Sequence, residues 1–310
     1  MRIEQFIENT RIESPLLVVN LTKGVTGNNQ SYLTVTFQDK TGTIEGKKWD
    51  ARPGDEELFA IGNFVLVEAD VLNYRGNLQL KIISSTVLNP ETIDITQFTI
   101  SSPIPQKELE AKLKKYLSSF QDKEVSLIVN TLIQRHYDQF VTYPAAVRNH
   151  HEFANGLLYH TLAMADLGER IAELYPSINR DLLLGGIFLH DLGKTVELSG
   201  PVISKYTVEG RLIGHIPLAA SEILQVGEEL GITSEVPMLL THMVLAHHGK
   251  LEFGSPVLPA TREALALSMI DNFDSKMMMV DKALADIPEG EWTPRLWALD
   301  DSYFYQPKKR

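Results

Sequence analysis

The residues of this chain that can do chemistry are histidines and aspartates, and they are crowded together. Eight of the nine histidines fall between His150 and His248. The densest cluster is FLHDLGK, residues 188–194, where an apolar run from Leu182 to Leu189 ends in adjacent His190 and Asp191. Neighbours on a helix diverge by about 100°, yet at a helix end both side chains can reach one ion. A buried His–Asp pair with no purpose would be costly, because polar groups taken from water need partners. The rest of the set is His160 in GLLYHT, His215 in GRLIGHI, His247-His248 in LAHHG and Asp271 in MIDNFDSK. The chain has no cysteine, so disulfides, thiolate metal sites, iron–sulfur clusters and cysteine nucleophiles are all excluded. Any metal here must be held by His, Asp and Glu. Such ligands suit Mn²⁺, Fe²⁺, Co²⁺, Ni²⁺ or Zn²⁺.

The elements that must position these residues come in two textures. Residues 14–85 are strand-like: Leu16–Leu21, Tyr32–Phe37, Thr43–Trp49, Phe64–Leu72 and Leu78–Ile83, with turns at Gly27-Asn28-Asn29, at Asp39–Gly42 and at Tyr74-Arg75-Gly76-Asn77. Five strands in so short a span predict a small barrel. Residues 86–105 carry three prolines and no helical period, and read as a linker. From Gln106 the period is helical, with helices expected at Gly156–Leu174, Arg180–Leu192, Ile216–Leu230, Val236–His247 and Arg262–Asp286, the last capped by Thr261. Met277-Met278-Met279 reads as core filling.

The stretch LTVTFQDKTGTIEGKKWD, followed by YRGNLQL, resembles the OB-fold modules that bind single-stranded nucleic acid. Such barrels use the face of strands 2 and 3 and the adjoining loops. Here that surface would offer Tyr32, Lys47, Lys48, Arg52, Tyr74 and Arg75: aromatics to stack on bases and cations for phosphates. Trp49 either stacks a base or plugs the barrel end.

The ordered set of His, His-Asp, His, His-His and Asp on successive helices resembles the HD-domain metal-dependent phosphohydrolases over residues 150–275. The resemblance implies that His160, His190, Asp191 and Asp271 bind one divalent ion. In members with two ions, His215 and His247 serve the second, and Asp191 bridges. His247 is favoured over His248, which is left as an alternative ligand or a phosphate contact. His150 and His151 either line the cleft or lie exposed, His136 is read as incidental, and His242 is read as a packed or surface histidine. Asp274, one turn after Asp271, reads as a carboxylate beside the ligands or at the surface. Lys194, four residues after His190, either offsets phosphate charge or pairs with Glu197.

Both halves together resemble the YhaM family of 3′–5′ exoribonucleases along essentially the whole chain. One departure is Asn155, beside the GLL segment, which touches no proposed ligand. The expected fold is an N-terminal five-stranded OB-type β-barrel (1–85), a linker (86–105) and an all-α HD domain (106–310). The family implies metal-dependent release of nucleoside 5′-monophosphates from single-stranded RNA 3′ ends, with Mn²⁺ or Co²⁺ preferred and some action on single-stranded DNA. Two other classes stay open: an HD phosphodiesterase for a small nucleotide, and a single-stranded DNA-binding protein with a structural metal site.

Net charge is −11, from 29 Lys+Arg against 40 Asp+Glu. This excludes binding by a broad basic face but not by a narrow stacking groove aided by metal ions. No run approaches the roughly 18–20 apolar residues of a membrane span. The start MRIEQFIEN lacks a basic region followed by an apolar one, so a cytoplasmic protein is expected. Apolar positions in the last helices are consistent with self-association.

Overall fold

The alternation from Tyr32 to Phe37 buries as a period of two requires: Leu33, Val35 and Phe37 are inside, and Tyr32, Thr34 and Thr36 stay half-buried. A computed structural model describes residues 1–27, 30–74, 76–94, 97–98, 102–145, 153–201, 204–285 and 287–308. Chain contacts divide it into residues 1–101 and 102–310.

In the first unit, β1 (Arg11–Val25), β2 (Ser31–Asp39), β3 (Gly42–Lys48), β4 (Phe64–Tyr74) and β5 (Asn77–Val87) close in the order β1-β2-β3-β5-β4, with the short helix α1 (Asp55–Leu58) between β3 and β4. All pairings are antiparallel except β3 with β5. This is the strand order of an OB barrel. Phe37, Phe59, Leu16, Leu33 and Leu80 fill its centre. β1 begins at Arg11, ahead of the apolar run at Leu16. Ile12 and buried Ser14 already face inward there, and Ser14 and Pro15 disguise the alternation.

Part of the segment read as a linker packs on the barrel. Phe98 meets Phe64 edge to face, with centroids 5.0 Å apart, and its carbonyl accepts from Gln38 Nε2 at 2.9 Å. The Gln97 carbonyl accepts from the Lys40 N–H at 2.9 Å. An aromatic side chain finds an apolar partner whether or not its own segment has a period.

The second unit is helical: α2 (Gln106–Leu117), α3 (Lys123–Arg135), α4 (Tyr137–Thr142), α5 (Gly156–Leu174), α6 (Arg180–Leu189), α7 (Lys194–Glu197), α8 (Val208–Leu212), α9 (His215–Glu229), α10 (Val236–Ala246) and α11 (Arg262–Leu284). From Leu182 to Leu189, helix α6 is apolar on every side and buried, the signature of a central helix. Its Gly185-Gly186 pair makes that packing close. A Cβ on Gly185 would lie 2.8 Å from Val125 of α3, and one on Gly186 would lie 2.2 Å from Met243 of α10. Asn179 caps the start of α6 through the Leu182 N–H, and His190 is already its C-cap. The His-Asp pair therefore sits at the end of the most buried helix.

Thr261 caps α11 by accepting from Ala264 N–H. Met277 on α11 is not core filling: it is exposed, as are Leu265, Met269 and Phe273 on the same helix. The spacing of four that links these residues is helical, but it marks a solvent face. Among the described residues, no helix is long and apolar enough to cross a membrane.

Candidate active site

Helix ends carry most of the candidate site. His160 projects from the first turns of α5. His190 and Asp191 follow α6, His215 opens α9, His247 and His248 follow α10, and Asp271 lies on α11. The turn into α5 runs through Asn155 at φ 65°, the left-handed region that Asn tolerates better than most residues, and its Nδ2 donates to the Val141 carbonyl at 2.6 Å. That accounts locally for the departure noted in the sequence.

Asp191 stands at the centre, and its two oxygens face different partners. Oδ2 lies 3.2 Å from His190 Nε2 and 3.9 Å from His160 Nε2, while His160 Nε2 is 3.3 Å from Asp271 Oδ1. Oδ1 lies 3.5 Å from His215 Nε2 and 3.9 Å from His247 Nε2. Two clusters with the spacing of metal ligands result: His160 with His190 and Asp191, and His215 with His247 and His248. His248 thus sits beside His247 rather than replacing it, with the two rings 4.2 Å apart.

Each imidazole is held at Nδ1. His190 donates to the Ile187 carbonyl, His247 to that of Val244 and His248 to that of Phe253, each at 2.7 Å. His160 donates to Asp274 at 2.7 Å and His215 to Glu197 at 3.1 Å. A carbonyl can only accept, so the proton is fixed on Nδ1 and the Nε2 lone pair points inward, the tautomer a metal ligand needs. Among the described residues, His190 Nε2, His215 Nε2, His247 Nε2 and Asp191 Oδ1 are buried with no hydrogen-bond partner. Converging buried acceptors without donors are costly unless a cation neutralises them. The donor set of imidazole nitrogens and carboxylate oxygens fits divalent transition ions.

The electrostatics run the same way. Burial alone would raise the Asp191 carboxyl, but the Lys194 ammonium holds it well below the usual range. Asp271, also opposed by burial, is held low by its hydrogen bond with His160. Burial pushes His247 well down, which favours the neutral ring that can ligate. Burial likewise lowers His248. His160 goes the other way. Burial pulls it down, but hydrogen bonds to Asp271 and Asp274 carry it up to about 9. A divalent ion would have to compete with that proton for Nε2.

Lys194 departs from the pairing with Glu197. Its ammonium lies 2.7 Å from Asp191 Oδ2 rather than on Glu197. Glu197, which the sequence offered only as a surface partner for that lysine, is buried and receives His215. His136 bridges Glu222 and Thr195 Oγ1 and is in neither ligand cluster. His242 accepts from the Ala260 N–H, away from the cluster. His150 and His151 lie outside the described residues.

On the barrel, Tyr32 and Trp49 pair with centroids 5.1 Å apart, and Lys47 Nζ lies 5.3 Å over the Tyr32 ring. Trp49 is 46% exposed, so it does not plug the barrel. Lys47 also donates to Thr34 Oγ1 at 2.6 Å and pairs with Glu45 at 3.2 Å. Tyr74 lines a neighbouring groove of about 550 Å³ with Thr43, Glu45, Asn77 and Gln79. Lys48 is not brought to this face. It is one residue out of phase with Lys47, and its Nζ donates to the Ile83 carbonyl at 3.0 Å. Arg52 is exposed, with its backbone N–H on Asp55. Arg75 lies outside the described residues.

A family model described as "HD domain" matches residues 157–276. The 3′–5′ exoribonuclease YhaM of Geobacillus sp. (strain WCH70) is 44% identical over 298 residues, covering 96% of this chain and 92% of that protein. The protein of the same name from Bacillus subtilis (strain 168) is 44% identical over 298 residues, covering 96% and 95%. A solved structure, the second OB-fold domain of replication protein A from Methanococcus maripaludis, is 16% identical at a TM-score of 0.25, covering 30% of this chain and 98% of that one.

Proposed function

This chain belongs to the YhaM family of 3′–5′ exoribonucleases, and on that premise we propose that it shortens single-stranded RNA from the 3′ end, releasing nucleoside 5′-monophosphates. Single-stranded DNA is a secondary substrate in this reading. The observation that carries it is the convergence of buried His190, His215 and His247 Nε2 atoms on the two oxygens of Asp191. His160, His190, Asp191 and Asp271 would hold one divalent ion, and His215, His247 and Asp191 a second, with His248 beside it; Mn²⁺ is the preferred metal. When bound, such ions activate water at neutral pH and polarise a phosphoryl oxygen.

The chain's own residues do the rest. Asp191, with one oxygen toward each cluster, fixes the spacing of the two halves. The Nδ1 acceptors keep each ring from turning, so that the groups are ordered before substrate arrives. Lys194 lies close enough to Asp191 to offset charge developing on the scissile phosphate. On the barrel, Tyr32 and Trp49 offer π-faces to bases, and Lys47 and Arg52 offer cations to the backbone. Tethering a strand there raises its effective concentration at the hydrolytic centre.

The test is incubation of 5′-labelled RNA with a 3′ overhang, single-stranded DNA and a cyclic dinucleotide with Mn²⁺, using wild type and Asp191→Ala. Stepwise shortening of the RNA by wild type and none by the variant is expected. Intact RNA alongside a hydrolysed cyclic dinucleotide would sink the exonuclease reading in favour of a small-nucleotide phosphodiesterase.

A further inference from the structure

Helix α9 begins without a cap of its own. Its N-cap is Gly214 at φ 82°, which has no side chain to accept from the first N–H groups. An acceptor comes instead from another helix: Glu197 Oε1 lies 3.2 Å from the His215 backbone N–H and 3.1 Å from His215 Nδ1. One carboxylate oxygen therefore both ends the helix and sets the imidazole proton. A negative group at a helix N-terminus is also favoured by the helix dipole. His215 Nε2 is left pointing at Asp191 Oδ1, 3.5 Å away.

The short helix carrying Glu197 is clamped on both sides. A Cβ on Gly193 would lie 2.1 Å from the His215 carbonyl oxygen, and one on Gly210 would lie 2.4 Å from the Glu197 carbonyl oxygen. The Thr207 N–H and hydroxyl both donate to that same Glu197 carbonyl, at 2.9 and 3.2 Å. Glu197 itself is only 8% exposed. Such close backbone packing leaves the carboxylate little freedom, which is what an orienting group requires.

We propose that Glu197 is the positioning residue of the His215–His247 half of the centre and sets the affinity of that half for its ion, while the His160–His190 half does not depend on it. The proposal rests on the two-ion reading given above. The other half has its own carboxylate, Asp274, on His160 Nδ1. The two ions are thus tuned by separate outer groups and meet only at Asp191.

The experiment is a Mn²⁺ titration by calorimetry, with bound metal counted after gel filtration, on full-length wild type, Glu197→Ala, Glu197→Gln and Asp274→Asn; RNA is not needed. Wild type should take up two ions. In Glu197→Ala one ion should lose about 10–100-fold in affinity, the range expected for an outer partner of a ligand, with the other unchanged. Glu197→Gln keeps an acceptor oxygen and should fall between, and Asp274→Asn should weaken the other ion. In activity assays, the Mn²⁺ giving half-maximal rate should move up in Glu197→Ala while KM for RNA stays put. Two ions bound by Glu197→Ala at wild-type affinity, loss of both together, or a wild type that takes up a single ion would each overturn the proposal. A wild type that binds two ions as described but leaves RNA intact sinks the nuclease reading and leaves this one standing.

Discussion

The candidate metal centre and the barrel face differ in how tightly their candidate side chains are held. In the centre, His160, His190, Asp191 and His247 are between 0% and 3% exposed, and each ring has its Nδ1 bonded to a fixed acceptor. On the barrel, Trp49 is 46% and Tyr74 57% exposed. The difference fits the tasks proposed for the two regions. Hydrolysis needs groups placed to a few tenths of an ångström before substrate arrives. Holding a strand of any sequence needs only π-faces and a few charges, which work over a range of geometries. Errors in the first region should therefore be far more costly than errors in the second.

The sharpest separation should come from Asp191→Ala. Asp191 faces both clusters, so its loss should lower kcat by at least about 10³-fold, beyond the 10–100-fold that losing an outer partner costs. Single-stranded RNA binding measured by fluorescence anisotropy should stay within about twofold, because the barrel is untouched. A variant that loses binding as completely as turnover would mean that the centre, not the barrel, holds the strand.

Metal removal separates the units thermally. An ion at about a hundredfold over its Kd adds about 2.7 kcal/mol of stability to the unit that binds it. For a unit of this size that is a rise in Tm of roughly 5–10 °C, visible by calorimetry as a shift of one transition when Mn²⁺ replaces chelator. The barrel transition should not move. A joint shift would show that the two units unfold together.

These contrasts bear on what could be read from the sequence. His190 with Asp191, His215, and His247 with His248 stood out because each lies in a local pattern: an apolar helix stopped by His-Asp, a Gly-His helix start and a His-His helix end. The ligand roles, and the places of His160 and Asp271 among them, came from the resemblance to the HD-domain phosphohydrolases. Glu197 did not stand out, because its partner His215 is 18 positions away and nothing in KTVELSG sets this carboxylate apart from a surface one. The contacts of His136 with Thr195 and Glu222 were hidden for the same reason, since they are made only on folding. The barrel strands were legible through alternation, except where Ser14 and Pro15 interrupt it at the start of β1. Phe98 and Met277 show the limit from both sides: an aperiodic aromatic can pack, and a periodic methionine can stay exposed.

Trp49→Ala should act on binding and not on chemistry. Stacking is worth about 1–3 kcal/mol per base, so KM for a long RNA should rise roughly 5- to 150-fold. Turnover of a dinucleotide, too short to engage the barrel, should be unchanged. Equal losses on both substrates would end the division of labour between the two regions.

The smallest effects test the barrel face by phase alone. Lys47 and Lys48 are adjacent, but a strand sends them to opposite sides: Lys47 over Tyr32, and Lys48 onto the Ile83 carbonyl. Each phosphate neutralised on a single strand contributes about 0.7 to the slope of log affinity against log salt. Glu45 already lies 3.2 Å from Lys47, so Lys47→Ala should lower that slope by less than this, and Glu45→Gln should raise both slope and affinity. Lys48→Ala should leave the salt slope alone and instead cost the barrel about 1 kcal/mol through its lost hydrogen bond. Anisotropy titrations from low to moderate salt distinguish the two lysines, and equal slopes for their alanine variants would mean that the strand does not lie along the Tyr32 face.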